Sequence, residues 1–207
     1  MRKDFFAKIC WQSYRARMEH SVEVSDVRAL RALAHPLRNR LLGALRLDGP
    51  STATLLGARV GESSGSTSYH LRQLAAYGFV EEVDGPGAGR WWQARHRQSS
   101  WTTAALVQQP EGAEVAEEAL RLTVGVQGRL LEAWLDQRGT LPEPWTGVSS
   151  VNDYALRLRP EQAAALRQEL FAVLDRWSAA HPTDVPVEGS LGVSLLLDLL
   201  PLPQWPV

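Results

Sequence analysis

The densest run of side chains able to do recognition chemistry lies between Ser63 and Val80, SSGSTSYHLRQLAAYGFV. The Ser63 hydroxyl can accept from an orphan amide of a first helical turn, so the run predicts a short helix that starts at Ser64. Thr67, Leu71 and Leu74 recur at i, i+4 and i+7 and make one apolar stripe, thickened by Ala75. The opposite face carries Ser64, Gly65, Ser68, Tyr69 and Arg72, with little acid to repel a phosphate. Hydroxyls donate or accept at base edges, and a guanidinium binds guanine or phosphate in a fork. Gly78 falls where a helix end needs positive φ, and Phe79-Val80 opens a strand. Many surface helices are polar on one side and touch nothing, so the surroundings of this helix decide its meaning.

Those surroundings supply a scaffold. Residues 1 to 24 are expected to form a weak amphipathic accessory helix with Phe6, Ile9, Cys10 and Tyr14 on one side, and Met18 offers a second start. Ser25 can cap a helix carrying Val27, Leu30 and Ala34, which His35-Pro36 ends. Pro36 then starts a helix whose buried face is Leu37, Leu41, Leu42 and Leu45, with Arg38, Asn39 and Arg40 outside. Asp48-Gly49-Pro50 is a turn, and Ser51 or Thr52 caps a short helix with Leu55 and Leu56. The presented helix follows, which is a helix-turn-helix order. Phe79 to Val83 and Arg90 to Ala94 can pair around the mobile Gly-rich turn DGPGAG and form a wing. Arg90 at its root, with Arg95, His96 and Arg97 beyond, could hold phosphates or reach a minor groove.

Charge supports the same division. The net charge of -1 conceals 15 Lys and Arg against 9 Asp and Glu in residues 1 to 97, and 7 against 14 in the remainder. The first part is therefore +6 and the second -7, so a polyanion would dock on the first. No stretch is apolar enough to span a membrane, the N-terminus is a poor signal peptide, and the expected location is cytoplasmic. One cysteine, Cys10, excludes an internal disulfide and a multi-cysteine metal cage.

Residues 25 to 97 resemble the winged helix-turn-helix domain of the ArsR/SmtB transcriptional repressors, most strongly in Ala34-His35-Pro36-Leu37-Arg38, Ser68-Tyr69-His70-Leu71 and Tyr77-Gly78-Phe79-Val80. The resemblance implies that Ser64, Ser66, Ser68, Tyr69, His70 and Arg72 belong to a DNA recognition helix and Arg90 to the wing. It also implies a repressor. Glu62 departs from the pattern, which usually has an apolar residue before the cap. A second departure bears on regulation: metal-sensing members place a Cys-x-Cys in the third helix or Asp/His sets on the last, whereas TATLLGAR offers no ligand here. The five histidines are dispersed, so neither a metal nor a cofactor is expected.

Residues 98 to 207 read as a dimerisation and possible effector domain. A polar linker ends at Pro110, and a helix from about Glu111 to Arg138 has two apolar faces, one through Val115, Ala119, Leu122, Val126, Leu130 and Trp134, the other through Leu120, Val124, Leu131 and Leu135. Two faces need two partners, so a homodimer is expected, built on this helix and on residues 27 to 34. Tyr154, Leu156 and Leu158 alternate as a strand, Pro160 starts a helix, and Val187 to Leu200 alternates as a second strand. The fold class expected is α+β: an N-terminal winged helix-turn-helix domain, a long helix, and a small strand-helix-strand unit. Trp101, Trp134, Trp145, Tyr154, Phe171, Trp177 and Trp205 either fill a core or line a pocket for a small organic effector. No nucleophile elbow or Rossmann glycine pattern appears, so the chain is not expected to be an enzyme. The expected function is sequence-specific binding of double-stranded DNA by a homodimer on a palindromic operator. The alternative is a winged-helix module that binds protein, which would want an apolar recognition face.

Overall fold

A computed structural model describes residues 19–87, 89–181 and 187–202. The described chain is mixed helix and strand, with an N-terminal helix-turn-helix domain and a long helix, as expected. It divides into two compact units, one of residues 1–124 and 182–192, the other of residues 125–181 and 193–207.

In the first unit, β1 (Glu19–Glu23) is followed by α1 (Val27–Leu33), α2 (Pro36–Asp48), β2 (Ser51–Thr52), α3 (Ala53–Val60) and α4 (Ser64–Ala76). Then come β3 (Val80–Val83), β4 (Trp91–Ala94), β5 (His96–Ser100), α5 (Thr103–Leu106) and the start of α6 (Gly112–Gln137). Helix boundaries follow local chemistry. Asp26 caps α1 by accepting from Arg28 N at 2.7 Å, in place of the expected Ser25, and Pro36 is the first residue of α2. The Thr52 hydroxyl accepts from Leu55 N at 3.3 Å and starts α3. At the end of α4 Gly78 takes φ 74°, which lets Phe79 N donate to Leu74 O at 3.0 Å and turns the chain into β3.

The core of the unit gathers Leu30, Leu41, Leu45, Leu71 and Leu74, each fully buried. At about 1.5 to 3 kcal/mol for each such side chain, this cluster is what holds α1, α2 and α4 together. The wing is an antiparallel sheet in the order β2-β4-β3, with Val80 opposite Ala94 and Val83 opposite Trp91.

Several expectations are corrected. Residues 19 to 23 form a strand, parallel to β5, with Ser21 opposite Gln98 and Glu23 opposite Ser100. The rest of the proposed accessory helix lies outside the described residues. Residues 96 to 100, read as the basic run beyond the wing and the start of a polar linker, are the partner of that strand. Each segment satisfies the other's backbone across more than seventy residues of sequence, a pairing that helical periodicity cannot reveal. The linker also contains α5, whose Leu106 is fully buried, and Val115, Ala116 and Ala119 of α6 join the same core.

In the second unit, α6 ends in a 3-10 turn (Arg138–Thr140), and α7 (Glu143–Thr146) and α8 (Pro160–Ala180) follow. Neither expected strand is formed: Tyr154 to Leu158 and the described residues from Val187 to Leu200 carry no ladder. A helix closes its own hydrogen bonds, whereas an alternating segment becomes a strand only beside another.

Candidate nucleic-acid interface

The presented helix is anchored from beneath. Thr67, Leu71 and Leu74 are fully buried, so the stripe expected to face inward does so. The Ser63 hydroxyl accepts from Ser66 N at 3.2 Å, and Thr67 Oγ1 donates to Ser63 O at 2.9 Å, tying the first turn of α4 to its cap. Gly57 of α3 supplies the rest of the fit. A Cβ there would stand 2.7 Å from Glu62 O and 3.0 Å from Thr67 Oγ1, so only glycine lets α3 approach the start of α4 this closely. The sequence reading missed Gly57, since a glycine inside a short helix signals equally well a weak helix.

On the outer side Ser64, Ser68 and Arg72 stand in a row at i, i+4 and i+8, with Tyr69 beside them. Ser64, Tyr69 and Arg72 are exposed and Ser66 and Ser68 half-exposed. Among the described residues nothing hydrogen-bonds or pairs with the Arg72 guanidinium. The helix contains no acid, so its outer face is a set of uncommitted donors and acceptors.

His70 is placed elsewhere. Its ring packs on His35 at 4.6 Å between centroids and meets Tyr69 edge-on at 5.1 Å, and its Nδ1 is buried without a hydrogen bond. His35 Nδ1 accepts from Leu37 N at 3.2 Å and caps α2. Burial, with the Arg38 charge nearby, holds both imidazoles below their ordinary pKa; Glu62 opposes the shift at His70 and Glu118 that at His35. The pair joins the start of α2 to the flank of α4, and its burial favours the neutral imidazoles.

Much of the first unit's positive charge is engaged in structure. Arg38 donates to Ala32 O at 2.5 Å and Arg31 O at 2.8 Å, Arg40 to Val60 O at 2.7 Å, and Arg46 to His96 O at 2.9 Å and the Ser99 hydroxyl at 2.7 Å. Arg31 pairs with Glu111, and Arg59 with Asp48. These guanidiniums close orphan helix carbonyls, brace β5 or bind acids, work that total charge does not disclose.

The wing is more acidic than its root suggested. Arg90 pairs with Glu82 at 3.0 Å, and Glu81, accepting from Gln93 Nε2 at 2.5 Å, faces Arg95 at 3.9 Å. His96 is buried in β5 and presents nothing to a phosphate. An exposed pair such as Arg90–Glu82 holds by about 0 to 1 kcal/mol, so a phosphate can displace the carboxylate. The loop is tied at its base: the Trp91 indole covers Gly85, where a Cβ would lie 2.3 Å from the ring, and donates to Pro86 O at 3.1 Å. It is therefore less free than its glycine content implied.

Comparison with known proteins bears on this site. Residues 33–83 match a helix-turn-helix domain family. The match spans α2, α3, α4 and β3 and so includes the presented helix. A solved structure, transcriptional regulator Tm0710 from Thermotoga maritima, aligns over 84% of this chain and 90% of its own at 13% identity and a TM-score of 0.28. A search of curated proteins gives no match. No described helix is long and apolar enough to cross a membrane, and among the described residues no three His, Cys, Asp or Glu gather as metal ligands.

Proposed function

We propose that the chain is a sequence-specific double-stranded DNA-binding transcriptional regulator, a cytoplasmic non-enzyme that acts as a homodimer on a palindromic operator. The observation that carries this is the acid-free outer row of α4, Ser64, Ser68 and Arg72 with Tyr69, on a helix whose other face is fully buried. A rigid helix with small hydroxyls and one guanidinium can lie in a major groove and read base edges. Ser66 flanks that row, and Arg90 contributes a phosphate contact once Glu82 is displaced. His70 serves by holding α4 on α2. The resemblance to the ArsR/SmtB repressors favours repression.

Two copies would meet half-sites about one helical turn apart. Of the two helices expected to build the dimer, α1 already packs Val27, Leu30, Ala32 and Leu33 in the chain's own core. The second unit retains unburied Trp177 and Tyr154, and an apolar organic effector bound there would regulate by favouring one dimer geometry over another. Quenching of tryptophan fluorescence by apolar metabolites, with and without operator, tests that part. Selection of bound duplexes from a random pool tests the whole: a dyad-symmetric consensus is expected, and enrichment of no sequence would refute the proposal.

A further inference from the structure

Among its described residues the second unit has no buried interior within one chain. No described residue beyond Ala119 is buried, although the unit holds the end of α6 and all of the 21-residue α8. Helices of this length draw most of their stability from packing an apolar face. Here sixteen large apolar side chains are exposed among the unit's described residues, from 39% at Val173 to 85% at Tyr154. Apolar residues scattered singly over a surface need no partner, whereas sixteen within one unit mark surface suited to an interaction.

Two segments of this unit that lie outside its helices match each other. In residues 154–159 the apolar positions Tyr154, Leu156 and Leu158 alternate with Ala155, Arg157 and Arg159. In residues 193–200 Val193, Leu195, Leu197 and Leu199 fall on one face and Ser194, Leu196, Asp198 and Leu200 on the other, Asp198 being the segment's one charge. Setting Arg157 opposite Asp198, in either strand direction, puts Leu156 and Leu158 on the same face as Leu197 and Leu199, because side chains alternate with a period of two. Asp198 accepts from Gln127 Nε2 at 3.1 Å and has oxygen lone pairs to spare. Within one chain the two segments form no ladder.

We propose that a second copy of this chain completes the unit, residues 154–159 of one copy pairing as a β ladder with residues 193–200 of the other, with Arg157 opposite Asp198. Each copy supplies both members, so a two-fold axis forms the ladder twice and covers the same apolar face on both copies. This deepens the homodimer reading above and rests on it.

The test uses the full chain in a Cys10→Ser background, with sedimentation giving mass and a short bismaleimide reporting proximity. Chains bearing Arg157→Cys are refolded together with chains bearing Asp198→Cys. The expected result is a dimer by sedimentation and a covalent chain-to-chain product in the mixture. Charge reversal supplies a second arm: Arg157→Asp or Asp198→Arg alone should weaken dimerisation about tenfold, the two together restoring it. Crosslinking confined to one chain when both cysteines share it, or a dimer without the mixed product, overturns the ladder and leaves the homodimer standing. A monomer at tens of micromolar, with helicity retained by circular dichroism, overturns both.

Discussion

Replacing Gly57 with alanine tests how α3 sets the position of α4. At an unobstructed helical site the change stabilises by up to about 1 kcal/mol. Gly43 is such a site: it lies in α2, and a Cβ there meets nothing within 4 Å. At Gly57 the same methyl group falls 2.7 Å from Glu62 O and 3.0 Å from Thr67 Oγ1. The first of these is backbone, and it belongs to the turn that leads into the Ser63 cap, so it cannot swing aside as a flexible side chain would. Overpacking of this kind costs about 1 to 3 kcal/mol, and relief requires the turn, and α4 with it, to move. Gly43→Ala should therefore match or exceed the parent in urea denaturation. Gly57→Ala should fall below Gly43→Ala by about 1 to 3 kcal/mol and lose operator affinity in fluorescence anisotropy at a temperature where it is still folded. Equal midpoints for the two variants, with equal affinity, would refute the close-approach reasoning.

Arg72→Ala should cost about 1 to 3 kcal/mol of operator binding and relax preference at one base position, read by repeating the selection from random duplexes. Arg90→Ala should weaken binding to all sequences and reduce the salt slope by about one, whereas Glu82→Gln, which frees Arg90, should strengthen binding at low salt. Acid should loosen the His35–His70 contact. Both pKa values are lowered in the folded chain, so the unfolded chain takes up protons first, and the stability held above the ordinary imidazole pKa of about 6.5 is lost as pH falls through the folded values. Thermal melts between pH 7 and 5 should show this loss, and a His35→Asn, His70→Gln chain should show less of it.

The local chemistry of the first unit was legible in the amino-acid order because its signals act over a few residues. Ser63 as cap, the Thr67-Leu71-Leu74 stripe, Pro36 as the first residue of α2 and Gly78 at positive φ each need only their neighbours within one or two turns. What tertiary structure decided was everything that depends on a distant partner. Residues 19 to 23 became a strand because residues 96 to 100 lie beside them. The arginines, alike in sequence, were divided by geometry into those that bind the chain's own backbone carbonyls, as Arg38, Arg40 and Arg46 do, and Arg72, left facing outward. His70 shares α4 with Arg72 but turns to His35, since the helical repeat carries it toward α2. Residues 154–159 and 193–200 have the alternation of strands without a ladder, since a strand takes its hydrogen bonds from a neighbour and alternation says nothing of which chain that neighbour is on.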